Sequence, residues 1–101
     1  MMTPQEIQKV IMQKLTKVID PETNVDVIRM KLIQDLQVDD ALKVSYVFRP
    51  SSPLCPLAVP LALEIIQTIR EVQEISGQNI TVVDYVQAEE LNKMLKDLLD
   101  G

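Results

Sequence analysis

Apolar residues recur at Ile7, Val10, Ile11, Leu15, Val18 and Ile19, a helical spacing that predicts a first helix over Pro4–Ile19. Thr3 can cap it, Pro4 suits the first helical position, and Glu6 completes a capping box. Asp20-Pro21 ends it, because the residue before a proline is pushed out of the helical region. Asp20 to Asp26 reads as a polar loop, and Val27 to Lys31 is ambiguous. From Leu32 the period becomes two: Leu32, Gln34, Leu36 and Val38 share one face, with Ile33, Asp35 and Gln37 opposite. Asp39-Asp40-Ala41 is a hairpin turn. Leu42, Val44, Tyr46 and Phe48 then alternate with Lys43, Ser45, Val47 and Arg49, the pattern of a half-buried strand.

Arg49 to Pro60 holds four of the six prolines, so this segment is not regular sheet. A long apolar helix follows, with Leu61, Ala62, Ile65, Ile66, Ile69, Val72 and Ile75 inward and Glu64, Arg70, Glu71 and Glu74 outward. Either Pro56 or Val59-Pro60 marks its start. Ser76-Gly77 stops it, Gly77 suiting a left-handed cap. Leu57, Val59 and Leu63 lie off the main stripe and cover either the sheet or a partner. Asn79 to Gln87 reads as a third strand, with Ile80 and Val82 on one face and Thr81, Val83 and Tyr85 on the other. Ala88, Leu91, Met94, Leu95 and Leu98 define a short terminal helix, with Glu89 and Glu90 favourable in its first turn. The expected fold is α/β (α+β): a two-layer α-β-β-α-β-α domain over residues 1–101, its three-stranded mixed sheet covered by helices.

Composition narrows the function. With 101 residues and 47% hydrophobic content, one globular domain is expected, able to fold without staples. Aromatics are only 3%, so the core must be aliphatic. A net charge of −5 without a basic patch sets nucleic acid and anionic membrane aside as partners. No apolar run approaches the ~18 residues of a membrane span, and no basic stretch followed by an apolar one opens the sequence. A single Cys and no His exclude an intrachain disulfide, a closed Cys/His zinc site and any histidine-dependent triad. A reducing, cytoplasmic location is the expectation. Two glycines cannot build a phosphate-binding glycine loop.

Few places remain for chemistry. The first is Ser51-Ser52-Pro53-Leu54-Cys55-Pro56. A thiol just before a helix sits where free backbone N–H groups and the helix dipole favour the thiolate. A free cysteine is equally at home as a small buried apolar side chain, and position alone does not separate the two. The second is Asp20-Pro21-Glu22, whose carboxylates could face a partner, a cation or a hydroxyl, although such a tripeptide is also ordinary helix-stop chemistry. Met12 and Met94 read as core or edge residues rather than metal ligands.

The order of these features resembles a known family: a helix running into Asp20-Pro21-Glu22, a hairpin, the Ser51–Pro56 loop leading into a helix, and a last strand. It is similar to the small iron–sulfur cluster assembly domain long catalogued as a domain of unknown function. That family includes SufT-like maturation factors, PaaD-like proteins, eukaryotic factors that target cytosolic clusters, and domains fused to Mrp-type ATPases. The likeness covers roughly residues 5–87. Asp20, Pro21 and Glu22 match the family's Asp-Pro-Glu, and Ser51, Ser52, Pro53, Cys55 and Pro56 match its Thr-Ser-Pro-x-Cys-Pro loop, with Ser51 for the usual Thr. The family usually has Gly where Lys31 precedes Leu32-Ile33. A glycine there suggests close backbone approach or a positive φ, which Lys resists.

The resemblance implies a non-enzymatic factor that assembles or delivers iron–sulfur clusters. Cys55 would be its functional residue and a shared or transient metal ligand, with Asp20, Glu22, Ser51 and Ser52 shaping the site. One thiolate cannot hold a cluster that needs about four ligands. Further ligands would come from a second subunit, making a symmetric homodimer attractive, or from the assembly machinery or a client apoprotein. The competing expectation is a non-catalytic adaptor docking a larger metalloenzyme complex, with Cys55 structural. A thiol enzyme with Cys55 as nucleophile ranks last, since no His can serve as its base.

Overall fold

A computed structural model describes residues 3–54 and 56–100. The first helix, α1 (Pro4–Leu15), starts as its cap residues dictate: Thr3 Oγ1 accepts the Glu6 N–H at 3.2 Å and donates to Glu6 Oε1 at 3.3 Å. Ile7, Ile11 and Leu15 form its buried stripe. It ends four residues before the expected Ile19, where the β-branched Thr16, Val18 and Ile19 are poor helix formers. Val18 is still buried, so the apolar period continued past the helix because the following turn packs on the same core.

The segment expected as a polar loop is a tight two-stranded ribbon, β1 (Ile19–Asp20) against β2 (Val25–Asp26), paired Ile19↔Asp26 and Asp20↔Val25. Asn24 closes it at φ 60, a conformation Asn tolerates, with its N–H on Asp20 O at 2.7 Å. The Val27 N–H donates to Val18 O at 3.0 Å and the Val27 side chain is fully buried, which pins the ribbon to the domain.

The hairpin is β3 (Ile33–Val38) and β4 (Lys43–Phe48), antiparallel. Asp39 makes the turn, accepting the Leu42 N–H on its backbone oxygen and the Lys43 N–H on Oδ1, both at 2.9 Å. Val44, Tyr46 and Phe48 are buried as the alternation requires. The simple alternation expected for β3 is broken by a bulge between Gln34 and Gln37, with Asp35 at φ 53. A bulge on an edge strand also discourages pairing with another chain.

The second long helix, α2 (Ala58–Arg70), begins at neither expected proline. Leu57 caps it, and Pro60 falls at its third residue, where the missing N–H would have had no intrahelical acceptor. It also stops earlier than expected, with Val72 and Ile75 in the following turn rather than on the helix. Gly77 is not a left-handed cap: it opens β5 (Gly77–Val82), and its φ is not positive. The third strand is therefore earlier and shorter than Asn79–Gln87. It pairs parallel to β4, from Lys43↔Gly77 to Phe48↔Val82.

The sheet order is β3-β4-β5, mixed and three-stranded as expected, with β4 central. Both α1 and α2 cover it, and the core runs from Ile7, Ile11 and Leu15 through Ile65 and Ile69 to Phe48, mostly aliphatic but with Phe48 and Tyr46 buried in it. The terminal helix, α3 (Ala88–Asp100), lies against β5 with Leu91 and Leu95 buried. Asn92 clamps the strand edge, accepting the Val82 N–H at 2.6 Å and donating to Val82 O at 3.0 Å, the pair of bonds a neighbouring strand would make. Met12 and Met94 both prove exposed. One buried polar relay crosses the layers: Tyr46 Oη donates to Gln78 Oε1 at 2.9 Å, and Gln78 Nε2 to Ile66 O at 3.1 Å. Burial pushes the Tyr46 phenol well above its ordinary pKa.

Candidate functional site

Asp20 ends β1 of the ribbon and is completely buried. Its Oδ1 accepts the Glu22 N–H at 3.0 Å, the side-chain turn that Asp favours before Pro. Its Oδ2 has no hydrogen-bond donor among the described residues, although a buried carboxylate oxygen ordinarily requires one. Glu22 sits at the exposed tip. There its Oε2 accepts the Ser51 hydroxyl at 3.2 Å, joining segments 29 residues apart.

The loop after β4 is held at several points. The Arg49 N–H donates to Leu32 O at 2.8 Å, and Pro50 is buried. Ser52 Oγ accepts the Leu54 N–H at 3.3 Å, and Pro53 O accepts the Val86 N–H at 2.8 Å. The two motifs picked out in the sequence thus meet through Ser51 and Glu22. Ser52 turns its own loop, and among the described residues it makes no side-chain hydrogen bond to the acidic motif. Cys55 lies outside the described residues. Its neighbour Leu54 is 73% exposed and Val86 65%, an apolar pair at the mouth of this corner.

Three residues here were not singled out as site residues from the sequence. Lys31 stands at φ 59, so this position does take the left-handed conformation that a glycine would suit, and Lys adopts it at a cost of about 1–2 kcal/mol. Asp84, at φ 53, ends the run after β5 and reaches Arg49, with Oδ2 3.0 Å from Nε. The available signal was an acid interrupting the apolar run Val82-Val83-Asp84-Tyr85. Among the described residues, no three of Cys, His, Asp and Glu gather as a metal cage.

With this geometry in place, comparison with known proteins identifies the class. The model of a family described as "Iron-sulfur cluster assembly protein" matches residues 8–82, from α1 to the end of β5. This chain belongs to that family. An uncharacterized protein of Methanocaldococcus jannaschii is 26% identical over 87 residues, covering 86% of this chain and 92% of the relative. The Fe-S protein maturation auxiliary factor YitW of Bacillus subtilis is 27% identical over 73 residues, 72% of each chain. Among solved structures, a domain of unknown function, DUF59, from Bacillus anthracis aligns with a TM-score of 0.72 at 23% identity, covering 96% of this chain and 94% of that one. A conserved hypothetical protein of Thermotoga maritima aligns at 0.64 and 24% identity, covering 89% and 90%. These likenesses agree with the mixed α+β architecture. No helix among the described residues is long and apolar enough to cross a membrane.

Proposed function

We propose that this chain is an auxiliary maturation factor that helps pass an iron–sulfur cluster, as cargo, to a client apoprotein in the cytoplasm. The observation that carries the reading is the Ser51–Glu22 hydrogen bond at 3.2 Å, which supports a single site made from the acidic motif and the cysteine loop. Cys55 supplies one thiolate. Asp20, whose Oδ1 accepts the Glu22 N–H, and Glu22, which accepts the Ser51 hydroxyl, shape the site, and the serines and prolines hold the loop's shape. A cluster takes about four ligands and the chain has one cysteine, so the other ligands belong to the client, the assembly machinery or a second copy. The protein acts by binding and exchange, not as an enzyme.

Anaerobic reconstitution with iron and sulfide tests this, comparing wild type with Cys55→Ala by absorption and native mass. The expected result is a cluster bound through Cys55, at about half an equivalent per chain if two copies share it. Cys55→Ala is expected to fold normally and to lose cluster delivery to an apoprotein. Normal delivery by the variant would overturn the proposal. The exposed Leu54 and Val86 favour a second reading, a docking adaptor with an inert cysteine. Fast alkylation of Cys55 in the folded protein supports the first reading, and slow alkylation the second.

A further inference from the structure

A cleft opens between the segment entering β3 and the loop after β4, lined in part by Lys31, Gln34, Arg49, Ser51, Pro53 and Asp84. It adjoins the Ser51–Glu22 contact but uses different side chains for its charge. Two of the chain's ten cationic residues face it, in a protein whose net charge is −5. Lys31 makes no ion pair among the described residues. Arg49 makes one, through Nε to Asp84, and both side chains are more than half exposed, at 56% and 62%. Such an exposed pair is readily exchanged for another carboxylate.

The backbone at the cleft adds an independent observation. Of the five non-glycine residues at positive φ among the described residues, Asn24, Asp35 and Leu42 are explained by the ribbon turn, the bulge and the hairpin turn. The other two, Lys31 and Asp84, both line this cleft. Backbone strain persists where the surroundings impose it, and it concentrates at ligand clamps and switches. Here it fixes a lysine on one wall and the arginine's partner on the other.

We infer that this cleft is a binding site for a carboxylate group, with Lys31 and Arg49 as the cationic contacts and Asp84 as a resident competitor. A planar carboxylate matches the guanidinium fork. Gln34 Nε2, which donates one hydrogen to Lys31 O at 3.2 Å, keeps its second for a ligand and supplies a neutral donor at the rim. The carboxylate is that of a small polycarboxylic acid or of an acidic side chain on a partner protein.

Amide-resolved NMR titration separates these sources, using citrate for the first and a capped peptide with one aspartate for the second, against sodium chloride at matched ionic strength. The expected result is saturable shifts confined to the Lys31–Gln34, Arg49–Ser51 and Asp84 amides, with half-saturation on the order of millimolar. The tighter probe names the source. Arg49→Gln is expected to weaken binding about tenfold or more. Asp84→Asn should tighten it several-fold, because it removes the competitor while Asn still tolerates the left-handed conformation. Lys31→Gly, which relieves the backbone, should weaken binding without disturbing the fold. Shifts equal to those with chloride, or equal affinities in the Arg49 and Asp84 variants, would overturn the assignment.

Discussion

The layer of β4, α2 and β5 and the corner formed by the β1–β2 ribbon and the Ser51–Pro53 loop follow opposite rules. In the first, large apolar side chains such as Phe48, Ile65 and Ile69 are fully buried, and the polar groups that enter it are paired, as in Tyr46–Gln78–Ile66. In the second, a fully buried carboxylate keeps an oxygen without a donor among the described residues, Lys31 takes a strained backbone, and Leu54 is left to solvent. Stability is concentrated in one region, and the other carries features that cost stability. A fold maintained only for packing would have no use for the second region, because each of its features is easily removed by substitution.

The comparison breaks most visibly in the core. Phe48→Ala is expected to destabilise the domain by about 3–5 kcal/mol, the usual cost of deleting a buried aromatic ring. Denaturant unfolding measures this. A loss below about 1 kcal/mol would place the core elsewhere.

Alkaline pH probes the same layer through Tyr46. Its folded pKa is raised by burial while the unfolded phenol titrates near 10. The stability this neutral phenol contributes is therefore fully present below pH 10 and is lost as pH rises above it, at up to about 1.4 kcal/mol per pH unit. Tyr46→Phe should flatten that slope relative to wild type. At neutral pH the same variant should cost about 1 kcal/mol, because Gln78 Oε1 loses its donor. Unfolding curves of both proteins between pH 7 and 11.5 decide the matter.

The smallest effect has the opposite sign and lies in the corner. Lys31→Gly should stabilise the domain by about 1 kcal/mol, since glycine takes φ 59 without strain. A destabilised variant would mean that the lysine side chain packs more than it strains.

Much of the architecture was legible in local pattern. Thr3-Pro4-Gln5-Glu6 marked the start of α1 to the residue, and the alternation of Val44, Tyr46 and Phe48 identified the buried face of β4. The errors share a cause. Val18 beyond α1, and Val72 and Ile75 beyond α2, continue an apolar period while packing on the core, so burial in the following turns mimicked helix. Periodicity reports which face is covered, not the hydrogen bonds beneath it. The site was legible as two separate motifs. Their contact depends on a ribbon whose strands are only two residues each, too short to leave a period.

By itself, then, the sequence determined the buried faces of α1, β4 and α2, the Thr3 cap and the hairpin turn after Asp39, along with the residue inventory of one cysteine and no histidine that restricts the chemistry. These depend on neighbours within a few positions along the chain. Only the tertiary structure decided that β5 runs parallel beside β4, that Ser51 reaches Glu22, and that Lys31 and Arg49 face one cleft. Those outcomes join residues far apart in sequence. They follow from how the helices close over the sheet, and no local pattern encodes which distant partner a strand edge or a side chain will find.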